Sequence, residues 1–367
     1  MKVLISDNLP DICKTILESA DIQVVTKTDF TPEELQKEIG VYNGLIIRSS
    51  TQCTPEILES ADKLQAICRA GVGVDNVNVP AATKKGVIVM NTPGGNTTST
   101  AEHAITLLLA LSRNIAQACN SVREGKWERK KFTGTQVSGK VLGVIGLGKI
   151  GKEVAKRAIA LEMKVLGYDP FISNETIPQL NVQLVENLDE IYRQADYITL
   201  HIPLVNDTKH MISKGELEIM KDGVRIINCA RGGIISEDSL YDALVSGKVA
   251  GAAIDVFEKE PPENNKLLEL DNVLPTPHLG ALTKEAQLAV AEDAAKQMVD
   301  VLKNNIVRNA VNMPVQGSED KPYITLTEKM GALLSQLVSG RIRSIDIQYS
   351  GGVSKDNVRP LTDCLLV

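Results

Sequence analysis

The chain has 367 residues, 43% of them hydrophobic, and a net charge of −6; that length is more than one core usually fills, and that charge argues against nucleic acid as a main partner. No apolar run reaches membrane-spanning length, and "MKVLISDNLP" turns acidic at Asp7 after too short an apolar stretch for a signal peptide. The six cysteines form no CxxC pair, so neither a metal site nor a disulfide framework is expected, and the setting reads as reducing and cytoplasmic.

From Lys2 to about Met90, short apolar runs ("KVLIS", "IQVV", "GLIIR", "LQAICR", "VIVMN") alternate with segments of helical period. Aromatics make up only 3% of the chain, so the cores must be built from Val, Ile, Leu and Ala, which suits buried parallel strands. "TPEE" and "TPEI" predict helix starts, with Thr31 and Thr54 as N-caps and proline at the first helical position. One long helix is predicted from about Thr97 to Val122. The alternation then restarts with strands in "KVLGVIG", "MKVLGYD", "DYITLHI", "VRIINCA", "VAGAAIDV" and "NVLPTPH". A second long helix is predicted from about Lys284 to Lys303, and "IVRNAVNMP" reads as a return to the first unit.

The expected architecture is α/β: two doubly wound parallel-sheet domains and a short C-terminal extension. Residues 1–96 and 285–314 form one domain, interrupted by a Rossmann domain over 97–284. Residues 315–367 read as the beginning of a further domain, with a polar linker "QGSED", a helix in "KPYITLTEKMGALLSQLVSG" and a strand in "RSIDIQYSGG".

"VLGVIGLGKIGKEVAKRAIA" holds G-x-G-x-x-G as Gly146, Gly148 and Gly151. The triplet follows a strand and opens an amphipathic helix, which is the context a dinucleotide requires. Gly146 permits the turn, Gly148 lets backbone N–H groups approach a diphosphate, and Gly151 lets helix and strand pack closely. The next strand ends in Asp169, 18 residues after Gly151. A carboxylate there accepts from ribose hydroxyls and repels a 2′-phosphate, so the expected cofactor is NAD. A glycine-rich turn without a ligand is the plainer alternative, and strand, helix and acid together weigh against it.

Oxidation of an alcohol needs a base near working pH and a cation to hold a carboxylate. Three strand ends offer such groups: Arg231 in "IINCARGG"; Asp255, Glu258 and Glu260 in "AAIDVFEKEPP"; and His278 in "LPTPHLG". Carboxyl ends of parallel strands face the ligand crevice, so three together count for more than any one. Either Glu258 or Glu260 could face His278. His201 reads as a satisfied strand-end residue, and His103 and His210 have no supporting constellation. Cys229 has no base beside it in sequence and reads as a small residue of the cofactor pocket. Arg48 and Arg69 each end a strand, and the glycines of "RAGVGVDNV", Gly71 and Gly73, offer backbone N–H groups. Two such arginines suit a doubly anionic, phosphorylated acid; pairing with surface carboxylates is the alternative. The basic stretch Arg129 to Lys131 reads as a solvated loop, the alternative being reach into a neighbouring subunit's phosphate site.

"GLGKIGKEVA", "YDP", "NCARGG", "DVFEKEPP" and "PHLGALT" together resemble the D-2-hydroxyacid dehydrogenases, over about residues 1–314. "RAGVGVDNV", "VMNTPGGNTTSTAEH" and "GKWERKKFTG" resemble one branch of that family. The resemblance implies Arg231, Glu260 and His278 as the catalytic set. It implies a cofactor site that adds Lys149, Ile150, Ile202, Pro203, Cys229, Ala230, Asp255, Gly280 and Ala281 to the glycines and Asp169. It also implies that the first unit holds the substrate and the inserted one the cofactor, a homo-oligomer of at least two chains, and an extension matching the start of an intervening domain found in longer members. Reduction of an unphosphorylated 2-oxo acid, or a dehydrogenase-like NADH-sensing corepressor, are the competing readings.

Overall fold

The computed structural model describes residues 1–172, 181–313, 321–337 and 346–350. The chain divides into two compact units, one joining Met1–Pro93 to the chain from Leu288 onward and the other spanning Gly94–Gln287. Each is a parallel sheet with helices on its faces.

In chain order the first unit holds β1 (Lys2–Ile5), α1 (Ile12–Ser19), β2 (Gln23–Thr26), α2 (Pro32–Glu38), β3 (Gly44–Ile47), α3 (Pro55–Glu59), β4 (Ala66–Arg69), α4 (Val79–Lys85) and β5 (Ile88–Asn91). The strand order is β2-β1-β3-β4-β5, all parallel. Alternation along β1 sends Val3 and Ile5 into one core, with Leu17, Ala294 and Met298, and Leu4 into the other, with Leu35, Leu58 and Val89. Burial on both faces explains why the strands read as continuous apolar runs. The predicted helix starts are present. Thr31 forms a capping box with Glu34, and Thr54 Oγ1 accepts from Ile57 N at 3.5 Å.

The second unit holds α5 (Thr97–Ser112), α6 (Ile115–Arg123), β6 (Val141–Ile145), α7 (Lys149–Ala160), β7 (Lys164–Tyr168), β8 (Gln183–Leu184), α8 (Leu188–Gln194), β9 (Tyr197–Leu200), α9 (Lys214–Ile219), β10 (Val224–Asn228), α10 (Glu237–Val245), β11 (Val249–Ile254) and β12 (Val273–Pro275). Its strand order is β12-β11-β10-β9-β6-β7-β8, again all parallel. The order reverses between β6 and β9, so the loops leaving these strands part at a crevice where such sheets take their ligands.

Three expectations need correction. The single helix over 97–122 is two, α5 and α6, because Asn114 adopts a left-handed backbone at φ 51° that no helix can continue through. The six strands expected in this unit are seven, the added one being the edge strand β8, two residues long and too short to show a period in sequence. In the extension, a helix α12 (Lys321–Leu337) follows α11 (Lys284–Val299) and a π-turn over Asp300–Asn304, but the described part of the expected strand, Asp346–Ser350, is not a strand. The rest of that strand and the expected linker at 316–320 lie outside the described residues. "IVRNAVNMP" does return to the first unit: Ala310 bridges Met90 in antiparallel fashion, and Val311 N donates to Val89 O at 2.8 Å.

Close packing under the second sheet sets a limit on Gly143 in β6. A Cβ there would lie 2.4 Å from Ile191 Cγ2 and 3.3 Å from Ala195 Cβ, both on fully buried residues. Gly143→Ala is expected to destabilise the fold by about 1–3 kcal/mol, read as a lower denaturant midpoint; an unchanged midpoint would show that α8 yields freely.

His201, just past β9, has its Nε2 3.0 Å from the buried Thr199 Oγ1. Burial pushes its imidazole down to about 4. The unfolded chain takes that proton near its ordinary value of about 6.5. Between those values the unfolded state binds more protons, so stability falls as pH falls through this window and is unaffected by this group above it. From pH 7 to pH 5, the wild type is expected to lose on the order of 1–2 kcal/mol more than His201→Gln in denaturant titrations. Equal losses in the two proteins would show that the folded ring accepts a proton as readily as the unfolded one.

Candidate active site

The loop from β6 into α7 carries the three glycines. Gly146 has φ 92°, and a Cβ on it would lie 2.5 Å from His201 O. At Gly151 a Cβ would lie 1.9 Å from Gly146 O, so only glycine lets α7 start this close to β6. Gly148 differs: among the described residues, its chain neighbours apart, nothing lies within 4 Å of where its Cβ would be. It is the N-cap of α7 and makes no side-chain cap hydrogen bond. The first N–H groups of this 12-residue helix have no acceptor within the helix, and no side chain crowds its N-cap, which fits the diphosphate of a dinucleotide. Lys149 and Ile150 form the first turn of α7. At the end of β7, Asp169 Oδ2 accepts from Leu147 N at 2.9 Å and Oδ1 from Phe171 N at 3.0 Å. This fixes the carboxylate beside the glycine loop and leaves lone pairs for ribose hydroxyls. Ile202 and Pro203 leave β9 across the switch point, with Ile202 Cγ2 2.7 Å from the position of a Gly146 Cβ.

The next two strand ends supply charge. After β10, Cys229 and Ala230 are buried and Arg231 is partly exposed, its Nη1 donating to Ala230 O at 2.6 Å. Gly232 follows because a Cβ there would lie 1.8 Å from Phe257 O. Burial, with the Asp255 charge adding to it, pushes the Cys229 thiol strongly up, so it stays protonated and is no nucleophile.

After β11, Asp255 is fully buried. Its Oδ1 accepts from Thr276 Oγ1 at 2.5 Å and Leu279 N at 2.8 Å, and its Oδ2 accepts from Gly280 N at 2.9 Å. Burial alone would raise this carboxyl, but hydrogen bonds from His103, Thr276, Leu279 and Gly280 more than offset it and hold the pKa low. Asp255 thus fastens the turn that follows β12 and that also carries Ala281. His278 sits in this turn with a left-handed backbone, φ 54°, its N–H donating to Asp255 O at 2.9 Å.

The His278 Nδ1 lies 2.8 Å from Glu260 Oε2, and Phe257 N donates to Glu260 Oε1 at 3.1 Å. Burial alone would raise the Glu260 carboxyl; the hydrogen bond and charge of His278 outweigh it and hold Glu260 below its usual range. Both side chains line a cavity of about 370 Å3 with Phe257, Leu268, Pro275 and Pro277. Of the two acids, Glu260 is the one that meets His278. Glu258 instead meets His210 Nε2 at 3.1 Å and Glu237 N at 3.1 Å. His210 therefore has a partner, and so does His103, whose Nε2 lies 3.2 Å from Asp255 Oδ1 and 3.4 Å from Thr276 Oγ1. The expectation that neither had a constellation was wrong, because their partners lie 48 and about 150 residues away along the chain and no local spacing shows them.

In the first unit, Asp7 past β1 is buried and accepts from Arg48 N at 2.5 Å, Ser50 N at 3.2 Å and Thr51 Oγ1 at 2.7 Å. This holds the loop after β3 that carries Arg48. Burial lowers the pKa of the Arg48 guanidinium, and the Asp7 charge opposes that shift. Arg69 Nε donates to Arg48 O at 3.1 Å, so the two arginines share one edge of this sheet. Their neighbour Gly71 leaves room for the Arg69 guanidinium, since a Cβ would meet Nη1 at 2.5 Å. The loop through Gly71 and Gly73 is tied to the end of β5 by Thr92 N to Gly71 O at 2.9 Å and Asn91 Nδ2 to Val72 O at 2.5 Å.

Residues 105–280 match the model of the D-isomer specific 2-hydroxyacid dehydrogenase NAD binding domain, and residues 320–367 match the D-3-phosphoglycerate dehydrogenase intervening domain. The chain is 48% identical to the D-3-phosphoglycerate dehydrogenase of Archaeoglobus fulgidus, over 100% of this chain and 70% of that one. It is 45% identical to the D-3-phosphoglycerate dehydrogenase of Methanocaldococcus jannaschii, over 97% of this chain and 68% of that one. Among solved structures, a glyoxylate reductase from Paecilomyes thermophila is similar with a TM-score of 0.78 and 29% identity, over 85% of this chain and 98% of that one. With an NAD-binding cradle at the switch point of its second sheet and relatives this similar along its whole length, the chain belongs to the D-isomer specific 2-hydroxyacid dehydrogenase family.

Proposed function

We propose that this protein oxidises D-3-phosphoglycerate to 3-phosphohydroxypyruvate with NAD, the first step of serine biosynthesis, with Arg231, Glu260 and His278 as its catalytic residues. The observation that carries the chemistry is the His278–Glu260 hydrogen bond of 2.8 Å. It stands in the same unit as the glycine cradle, on loops leaving the carboxyl ends of parallel strands. The substrate assignment rests on the relatives named D-3-phosphoglycerate dehydrogenase and on the two arginines at the edge of the first sheet.

Bound NAD supplies the carbon that accepts hydride. With Nδ1 turned to Glu260, His278 offers Nε2 to the substrate hydroxyl and takes its proton as the carbonyl forms. Glu260 fixes that tautomer, orients the ring and stabilises the imidazolium. Because Glu260 is held ionised, it keeps this role across neutral pH. Arg231 holds the substrate carboxylate in a fork that lysine cannot copy. Arg48 and Arg69, with the backbone of Gly71 and Gly73, hold the phosphate. On this reading the first unit is the substrate domain, the second is the cofactor domain, and the protein works in the cytoplasm as a homo-oligomer. No described helix is long and apolar enough to cross a membrane.

A reductase of glyoxylate or hydroxypyruvate would need the same base and cradle but no phosphate site. A corepressor would bind NADH without turnover. NADH formation by purified protein over a panel of D-2-hydroxy acids separates the three.

Two outcomes follow from the assignments. His278→Gln is expected to bind NADH nearly as the wild type does while losing turnover by roughly 100-fold or more. Retained turnover would move the base elsewhere. For the phosphate, Arg48→Ala or Arg69→Ala is expected to raise KM for D-3-phosphoglycerate by roughly 10- to 150-fold, with a much smaller effect on a phosphate-free acid. Equal effects on both substrates would assign the residue to the carboxylate, and no effect would remove the phosphate site from these arginines.

A further inference from the structure

We propose that Ser99 and His103 are positioning residues for the base, fastening both ends of the segment Thr276–Thr283 that carries His278. The inference rests on the assignment of His278 above and deepens it.

Ser99 and His103 are one turn apart on α5, so they share a helix face. At one end of the segment, the His103 Nε2 reaches Asp255 Oδ1 at 3.2 Å and Thr276 Oγ1 at 3.4 Å. At the other, Ser99 Oγ lies 2.7 Å from Thr283 Oγ1. Between these pins the segment comes close to the helix: a Cβ on Gly280 would meet Asp255 Oδ2 at 3.3 Å and Thr100 Cγ2 at 3.4 Å.

The pins matter because of what else holds Asp255. Thr276, Leu279 and Gly280 all donate to it, but all three belong to the turn and move with it. His103 donates from a separate element. It therefore fixes the turn relative to the helix, which the other three bonds do not do. The left-handed backbone of His278 adds a reason. A non-glycine residue in that region is strained and stays there only when its surroundings overdetermine it.

His103, Cys229 and Asp255 also place one ligand atom each within 4.8 Å of one another. Hydrogen bonding is the reading the contacts favour over a metal ion. Asp255 already accepts from four groups, one of them His103 itself, and the Cys229 thiol is neutral in this burial.

The test uses the full chain with its substrate and NAD. His103→Leu keeps an apolar filling but removes the donor, and His103→Gln restores an N–H at similar reach. His103→Leu is expected to lower kcat by about 10- to 100-fold, because a base displaced by even 1 Å loses that much, while KM values stay within about 3-fold. His103→Gln should recover most of the loss, and Ser99→Ala should lower kcat by about 2- to 5-fold with an unchanged melting temperature. The proposal is overturned if His103→Leu keeps wild-type kcat, if His103→Gln is as impaired as His103→Leu, or if the loss lies in NADH affinity alone. Should His103→Leu fail to fold, Ser99→Ala decides: a lowered kcat supports the pins and an unchanged kcat removes them. A wild-type protein that oxidises no hydroxy acid would instead overturn the proposed function, which a normal His103→Leu kcat leaves standing.

Discussion

A carboxylate withdrawn from water must be given donors, and in this chain the donors given to two such carboxylates set the position of charged side chains. Asp7, 3% exposed, lies past the first strand of one unit, and Asp255, 0% exposed, lies past β11 of the other. Leaving either unpaired would cost several kcal/mol, so the chain surrounds each with N–H and O–H groups. Those groups come from the neighbouring loops. Asp7 gathers the loop that carries Arg48, and Asp255 gathers the turn that carries His278. The side chains at the rims of the two sheets are thus held by carboxylates buried beneath them, and the rigidity lies one layer beneath the surface.

The parallel sheets prepare the ground for this arrangement. Every strand delivers its chain to the same edge, so residues far apart in sequence, such as Gly146, Arg231, Asp255 and His278, leave their strands on one side of one sheet. Glycines then allow the backbones at that edge to touch. At Gly151 and Gly232 a side chain would overlap a backbone carbonyl outright. Gly148 differs, since among the described residues, its chain neighbours apart, nothing fills the space at its N-cap position.

Much of this was legible in the sequence because its signals are local. The strand–GxGxxG–helix unit, the Thr-Pro-Glu helix starts and the apolar strands all declare themselves within a few residues, and each is present in the structure. The pairing of Glu260 rather than Glu258 with His278 did not follow from spacing, since two residues on an irregular loop point in directions set by tertiary contacts. The break at Asn114 was missed because helical period continues on both sides of a single left-handed residue. His103 was missed for a related reason. It sits in an apolar helix among Ala104, Ile105 and Leu107, and its carboxylate partner lies in a strand loop far along the chain.

The first unit is written in two pieces, and this bears on how a ribosome-borne chain can mature. Its five strands are complete by Asn91, but its core also needs Ala291, Ala294 and Met298 of α11, which are translated after the entire second unit. Met298 covers Gly44 of β3, and the segment at Ala310 covers the open side of β5. Until those residues emerge, the nascent sheet has one apolar face only partly covered, by α1, and the β5 edge unpaired, the two features that invite intermolecular sticking. The inserted unit has its own cores and can close first. Synthesis order and folding order therefore diverge here: the strands made before the inserted unit are finished only after it.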